Sequence, residues 1–176
     1  MITNVRRNRD KNLFYIEAPT GGGKTNVSML AVAELLKDKT LNKIFYVFPF
    51  TTLITQTYVS LTDVFGLKND EIIELHSKAA HISVSASSHS LIKEETDDYK
   101  NEYIDYIDSL FVNYPVSLLS HVRFFEYLTT NKKEANYVFS RLANSVVILD
   151  EIQSYNPSTW DVIAFFIKEY SACFNM

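Results

Sequence analysis

Short apolar runs along the chain alternate with stretches whose apolar residues recur every three or four positions. Residues 13–18, 44–48, 110–114 and 146–152 read as strands, followed in turn by Pro19, Pro49, Pro115 and Pro157. A short further strand is expected at 72–75. Between these runs the period becomes helical. A helix is predicted over 24–37 on the stripe Val27, Leu30, Ala31 and Leu35, and another over 51–65 on Ile54, Tyr58, Leu61 and Phe65, with Gly66 as its C-terminal stop. A third helix is placed from Pro115, presenting Leu118, Val122 and Phe125. A fourth follows Asn156 as cap and Pro157 in the first turn, burying Trp160, Ile163, Ala164 and Ile167. Strand-then-helix repetition with near-continuous apolar strands, such as residues 145–149, predicts an α/β fold: a mostly parallel sheet with helices on both faces.

Composition narrows the class. The 176 residues are one domain's worth of chain, and 47% hydrophobic against 22% charged residues suffices for a core. No apolar run approaches the roughly 18–20 residues that cross a bilayer, and the first dozen residues lack the apolar stretch of a secretory signal, so the expected setting is cytoplasmic, without a membrane partner. The formal charge of −4 speaks against gripping nucleic acid by bulk charge, so any such contact is local. The lone cysteine, Cys173, has no disulfide partner and reads as a small core hydrophobe. One segment breaks the pattern: residues 83–90 hold five serines, and residues 93–108 hold seven acids against two lysines. Residues 78–108 therefore read as a surface insertion, either merely solvated or an acidic loop that meets a partner.

The strongest chemical signal is the octet Ala-Pro-Thr-Gly-Gly-Gly-Lys-Thr at 18–25, after an expected strand and before an expected helix. A phosphate chain needs backbone N–H groups that converge on it, and glycines let a loop wrap that closely. Pro19, Thr20, Gly21, Gly22, Gly23, Lys24 and Thr25 would form this nucleotide cradle. Lys24 would reach the β- and γ-phosphates and the Thr25 hydroxyl would meet Mg²⁺. The second signal is Asp150-Glu151 at the carboxyl end of an apolar strand, the edge where parallel sheets bind ligands. Alone, such a pair is as readily a polar strand exit. Downstream of the glycine loop, Asp150 suits Mg²⁺, and Glu151 suits orienting or deprotonating a water that attacks the γ-phosphate.

These blocks, with Phe-Pro-Phe-Thr-Thr-Leu-Ile-Thr-Gln at 48–56 and Asp-Glu-Ile-Gln at 150–153, resemble motifs I, Ia and II of superfamily 2 helicases. Ala18 in place of glycine agrees with the helicase form A-x-x-G-x-G-K-T. More narrowly, the text resembles the CRISPR-associated helicase-nuclease of type I systems. That resemblance implies a RecA-like P-loop NTPase lobe with ATP and Mg²⁺ as cofactors. It also implies a motor that moves on single-stranded DNA in antiviral defence, recruited by a guide-RNA surveillance complex. Lys24, Asp150 and Glu151 inherit catalytic roles, Thr25 and Asp150 the metal, and Gln153 a coupling role. Thr51, Thr52 and Gln56 inherit contacts to nucleic acid, with ordinary helix capping as the plain alternative for the threonines.

The departures define further expectations. The family's HD-type nuclease domain has no counterpart here, since only 17 residues precede Ala18 and no His-Asp dipeptide occurs. His76, His81, His89 and His121 lack metal-ligand spacing and read as surface or core residues. The chain stops near the family's Ser-Ala-Thr motif, so residues 1–176 read as an N-terminal RecA-like lobe, a fragment expected to hydrolyse ATP poorly without its second lobe. The alternatives are a nucleotide-binding module without turnover and another superfamily 2 translocase.

Overall fold

The computed structural model describes residues 2–19, 21–38, 40–75, 107–108, 111–157 and 160–176. Its sheet has four strands, β1 (Lys43–Phe48), β2 (Ile72–Leu75), β3 (Val116–Ser120) and β4 (Ser145–Leu149), in the order β2-β3-β1-β4. All three pairings are parallel, with Ile44 opposite both Val116 and Val146. The helices are α1 (Ile2–Arg7), α2 (Lys24–Leu35), α3 (Thr51–Phe65), α4 (His121–Thr129), α5 (Lys133–Arg141) and α6 (Trp160–Phe174). Among the described residues no helix is long and apolar enough to cross a membrane.

Side chains alternate across a strand, so β1, buried at all six positions, builds two cores at once. Ile44, Tyr46 and Phe48 meet Met29 and Val32 of α2 and Ile54 and Leu61 of α3. Phe45 and Val47 face the other way, onto Phe124 and Leu128 of α4 and Ala135 and Val138 of α5. Phe166 and Tyr170 of α6 pack onto this second core. Helices on both faces of a parallel sheet are therefore what the chain forms.

α1 is fastened to α2 by charge. Glu34, only 4% exposed, accepts from Arg6 at 3.0 Å, from Arg9, and from Lys37 at 2.6 Å. Three cations around one buried carboxylate offset its desolvation and hold its pKa at about 2, chiefly through the Arg6 and Lys37 hydrogen bonds.

Several expectations need correction. Residues 13–18 form no strand: among the described residues they have no ladder partner, and Leu13, Phe14 and Tyr15 stand exposed. The third unit is shifted. Residues 111–114 are not a strand and Pro115 does not open a helix; it precedes β3, and α4 begins at His121. A proline without an N–H is tolerated at a strand's start, and its carbonyl accepts from Ile44 N–H at 2.8 Å. Ser120 then caps α4 by accepting from Arg123 N–H. The motif II strand ends at Leu149, before the acids.

The buried stripes are met in part: Ala31, Ile54, Leu61 and Ile163 are buried and Leu35 and Tyr58 pack against the core, whereas single positions differ. On α2, Leu30 is 48% exposed while Met29 and Val32 are buried. Phe65, Val122 and Ala164 are exposed, and Cys173 lies on the surface instead of in the core. α1 is only six residues long, and α5 is too polar on average for its regular stripe of Ala135, Val138 and Leu142 to stand out in sequence. Gly66 does end α3, with φ +65°. The expected insertion at 78–108, with His76, His81 and His89, lies outside the described residues except for 107 and 108.

Candidate active site

Before α2 the backbone folds back on itself, with Gly22 N–H donating to Pro19 C=O at 3.0 Å. A Cβ on Gly22 would lie 2.9 Å from that carbonyl oxygen, so no side chain fits. Gly23 enters the helix at φ +70°, a left-handed conformation that favours glycine, and supplies no side-chain cap. The first amides of α2 are thus left to other acceptors. Gly21, Gly22 and Gly23 are exposed, Lys24 and Thr25 half-buried; Thr20 lies outside the described residues.

From the other side comes the end of β4. Asp150 N–H continues the ladder to Val47 C=O at 2.9 Å, and Glu151 N–H turns back to Asp150 Oδ1 at 2.9 Å. Glu151 itself is left-handed, at φ +44°, a conformation that costs a non-glycine residue energy and re-aims its carboxylate. That carboxylate meets Lys24 Nζ at 2.8 Å, 127 positions away in sequence. Gln153 Nε2 donates to its second oxygen. The hydrogen bond to Lys24 lowers the Glu151 pKa, and the same contact raises that of Lys24. Asp150 behaves differently: burial pushes its pKa up, opposed by the Glu151 N–H.

The structure therefore gathers Lys24, Thr25, Asp150, Glu151 and Gln153 at the carboxyl edge of the sheet. Thr51, Thr52 and Gln56 are exposed on α3, which opens just past β1 at the same edge of the sheet, and among the described residues no contact joins them to the carboxylate pair. The residue capping α3 is Phe50, with no side-chain cap bond, so neither threonine hydroxyl caps this helix. His121, expected at the surface or in the core, is half-buried and stacks on Tyr155 with ring centroids 4.7 Å apart. Its Nδ1 and the Tyr155 hydroxyl are both buried without a partner.

Sequence reasoning missed Tyr46. Its hydroxyl lies 3.5 Å from Asp150 Oδ2, and the Thr25 and Ser28 hydroxyls sit close enough to favour its ionised form. The available signal was a polar-tipped residue inside an otherwise apolar strand, two positions from its carboxyl end.

A cavity of about 680 Å³ runs from Lys24, Asp150 and Glu151 into an apolar cleft between Leu13 and Val147. Only its polar end bears on phosphate chemistry. Among the described residues no three of His, Cys, Asp and Glu gather as a metal cluster. Thr25 and Asp150 instead offer hard oxygens, the donor type Mg²⁺ takes when phosphates complete its shell. With the Gly22 cradle, this donor set fits a magnesium nucleotide.

Residues 1–168 match the model of the DEAD/DEAH box helicase family. No curated protein and no solved structure shows a significant match. Helicases of this kind use ATP with Mg²⁺, in keeping with the loop and the carboxylate pair described above. The chain belongs to the DEAD/DEAH box helicase family and carries the ATP-dependent helicase lobe of that family.

Proposed function

We propose that this lobe drives movement along single-stranded DNA in a helicase of the CRISPR-associated type, working with a second RecA-like lobe and an HD nuclease domain at targets opened by a guide-RNA surveillance complex. The observation that carries the motor reading is the meeting of Lys24, first residue of α2, with Glu151, just past β4. The narrower reading rests on the text of residues 18–25, 48–56 and 150–160.

Bound Mg²⁺ supplies charge neutralisation at the phosphates. The chain's own residues do the rest. The loop amides of residues 21–23 and Lys24 bind the phosphates, and Thr25 and Asp150 hold the metal. Lys24 would leave Glu151 for the γ-phosphate, freeing the Glu151 carboxylate to accept the proton of a water whose oxygen bonds to the γ-phosphorus as the bond to the departing ADP oxygen breaks. Gln153 holds that carboxylate in place. Charge developing on the γ-phosphate is stabilised from a second lobe, so turnover by this chain alone is slow.

The test has two parts. Mg-ATP binding is measured for the chain and for Lys24→Ala; equal affinity would end the nucleotide-site reading. Binding of single-stranded DNA, single-stranded RNA and duplex DNA is then compared with and without nucleotide. A preference for RNA or duplex would replace the single-stranded DNA motor by another superfamily 2 translocase.

A further inference from the structure

Asp150 is held at both carboxylate oxygens. Oδ1 accepts from Glu151 N–H at 2.9 Å, and Oδ2 faces the Tyr46 hydroxyl at 3.5 Å. The short bond from the Glu151 amide leaves the carboxylate plane free to turn, and the longer contact to the phenol biases that rotation. Tyr46 is 1% exposed and fixed by its stack on Phe48, at 4.4 Å and 19°. Its register partner on β4 is Ile148, which sets it beside the strand that delivers Asp150. The same hydroxyl lies near Thr25 on α2, so it sits between the two residues expected to meet the metal.

We infer that Tyr46 is a positioning residue for metal binding: its hydroxyl, facing Asp150 Oδ2, presets that oxygen donor for a nucleotide-bound divalent cation. The phenol has one proton to give, and Asp150 Oδ2 is the carboxylate oxygen it faces. Groups that orient metal ligands from behind typically contribute about 10–100-fold to metal affinity. The inference rests on the magnesium-nucleotide reading of this site.

The test is Tyr46→Phe, which keeps the buried ring and its stack and removes one oxygen. Binding of a fluorescent ATP analogue is titrated with Mn²⁺ and with Mg²⁺, and repeated in EDTA. The expected result is a rise of about tenfold in the metal concentration at half-saturation. Nucleotide affinity in EDTA and the melting temperature stay unchanged. In an Asp150→Asn background the Tyr46→Phe change adds nothing more. An unchanged metal midpoint in Tyr46→Phe, with wild-type binding still metal-dependent, overturns the inference and leaves the site reading intact. Binding that is metal-independent in the wild type and insensitive to Lys24→Ala overturns both.

Discussion

Lys24 Nζ lies 2.8 Å from Glu151 Oε1, so each of these two groups occupies the other. In the proposed mechanism the lysine serves the phosphates and the carboxylate serves water, so the pairing holds both in reserve. The pair is about one-third exposed on both sides, and such ion pairs are weak enough for a polyanion to displace. Glu151→Gln removes the competitor for Lys24. The expected result is Mg-ATP binding tightened by about two- to fivefold, with nucleic-acid-stimulated hydrolysis in the presence of a second lobe lost. Isothermal titration and a phosphate-release assay check the two halves. Weaker binding in Glu151→Gln would contradict this account.

The glycine loop makes a sharper claim about sterics. Gly22 carries no side chain because a Cβ would meet Pro19 C=O at 2.9 Å. Gly22→Ala must move the loop and misdirect its amides. Losing one amide bond to an anionic phosphate, worth about 1.5 kcal/mol, weakens nucleotide binding about tenfold. The loop is exposed, so chemical denaturation shifts by less than about 0.5 kcal/mol. A large fall in stability with binding intact would refute this.

What was legible in the sequence follows from what each signal depends on. The loop at 18–25 and the Asp150-Glu151 pair are local chemistry fixed by spacing, and the fold brings them together. α3 and β2 were readable because their apolar spacing is regular. On α2 a single position was misjudged: apolar residues surround the helix on nearly every side, and Met29, not Leu30, meets the sheet beside Ala31. β3 was displaced because Pro115 suits a helix start and a strand start alike. Tyr46 was hidden because its function depends on a neighbouring strand a hundred positions away.

The exchange of Leu30 for Met29 on the buried face is itself testable. Met29 is 7% exposed and packs in the core with Ile44 and Ile54, whereas Leu30 is 48% exposed. Met29→Ala is expected to cost about 2–5 kcal/mol of unfolding free energy, and Leu30→Ala less than about 0.5 kcal/mol. Urea denaturation of the two variants decides it. The reverse order would restore the stripe predicted from periodicity.

The tether between α1 and α2 gives the pH dependence. Glu34 has its pKa lowered from the ordinary 4.5 to about 2, first by its hydrogen bond from Arg6 and then by that from Lys37. A carboxylate whose folded pKa is depressed contributes stability that is complete above its unfolded pKa. As pH falls the unfolded state takes up a proton first, so the contribution declines below about pH 4.5 and is gone below about pH 2. Glu34→Gln removes this dependence and at neutral pH leaves Arg6, Arg9 and Lys37 crowded around an uncharged amide. The variant is therefore less stable than the wild type at pH 7, and the gap closes as pH approaches 2. Urea midpoints at pH 7, 4 and 2.5 measure it. A gap that stays constant down to pH 2.5 would mean that Glu34 joins the helices by packing, with its charge contributing nothing.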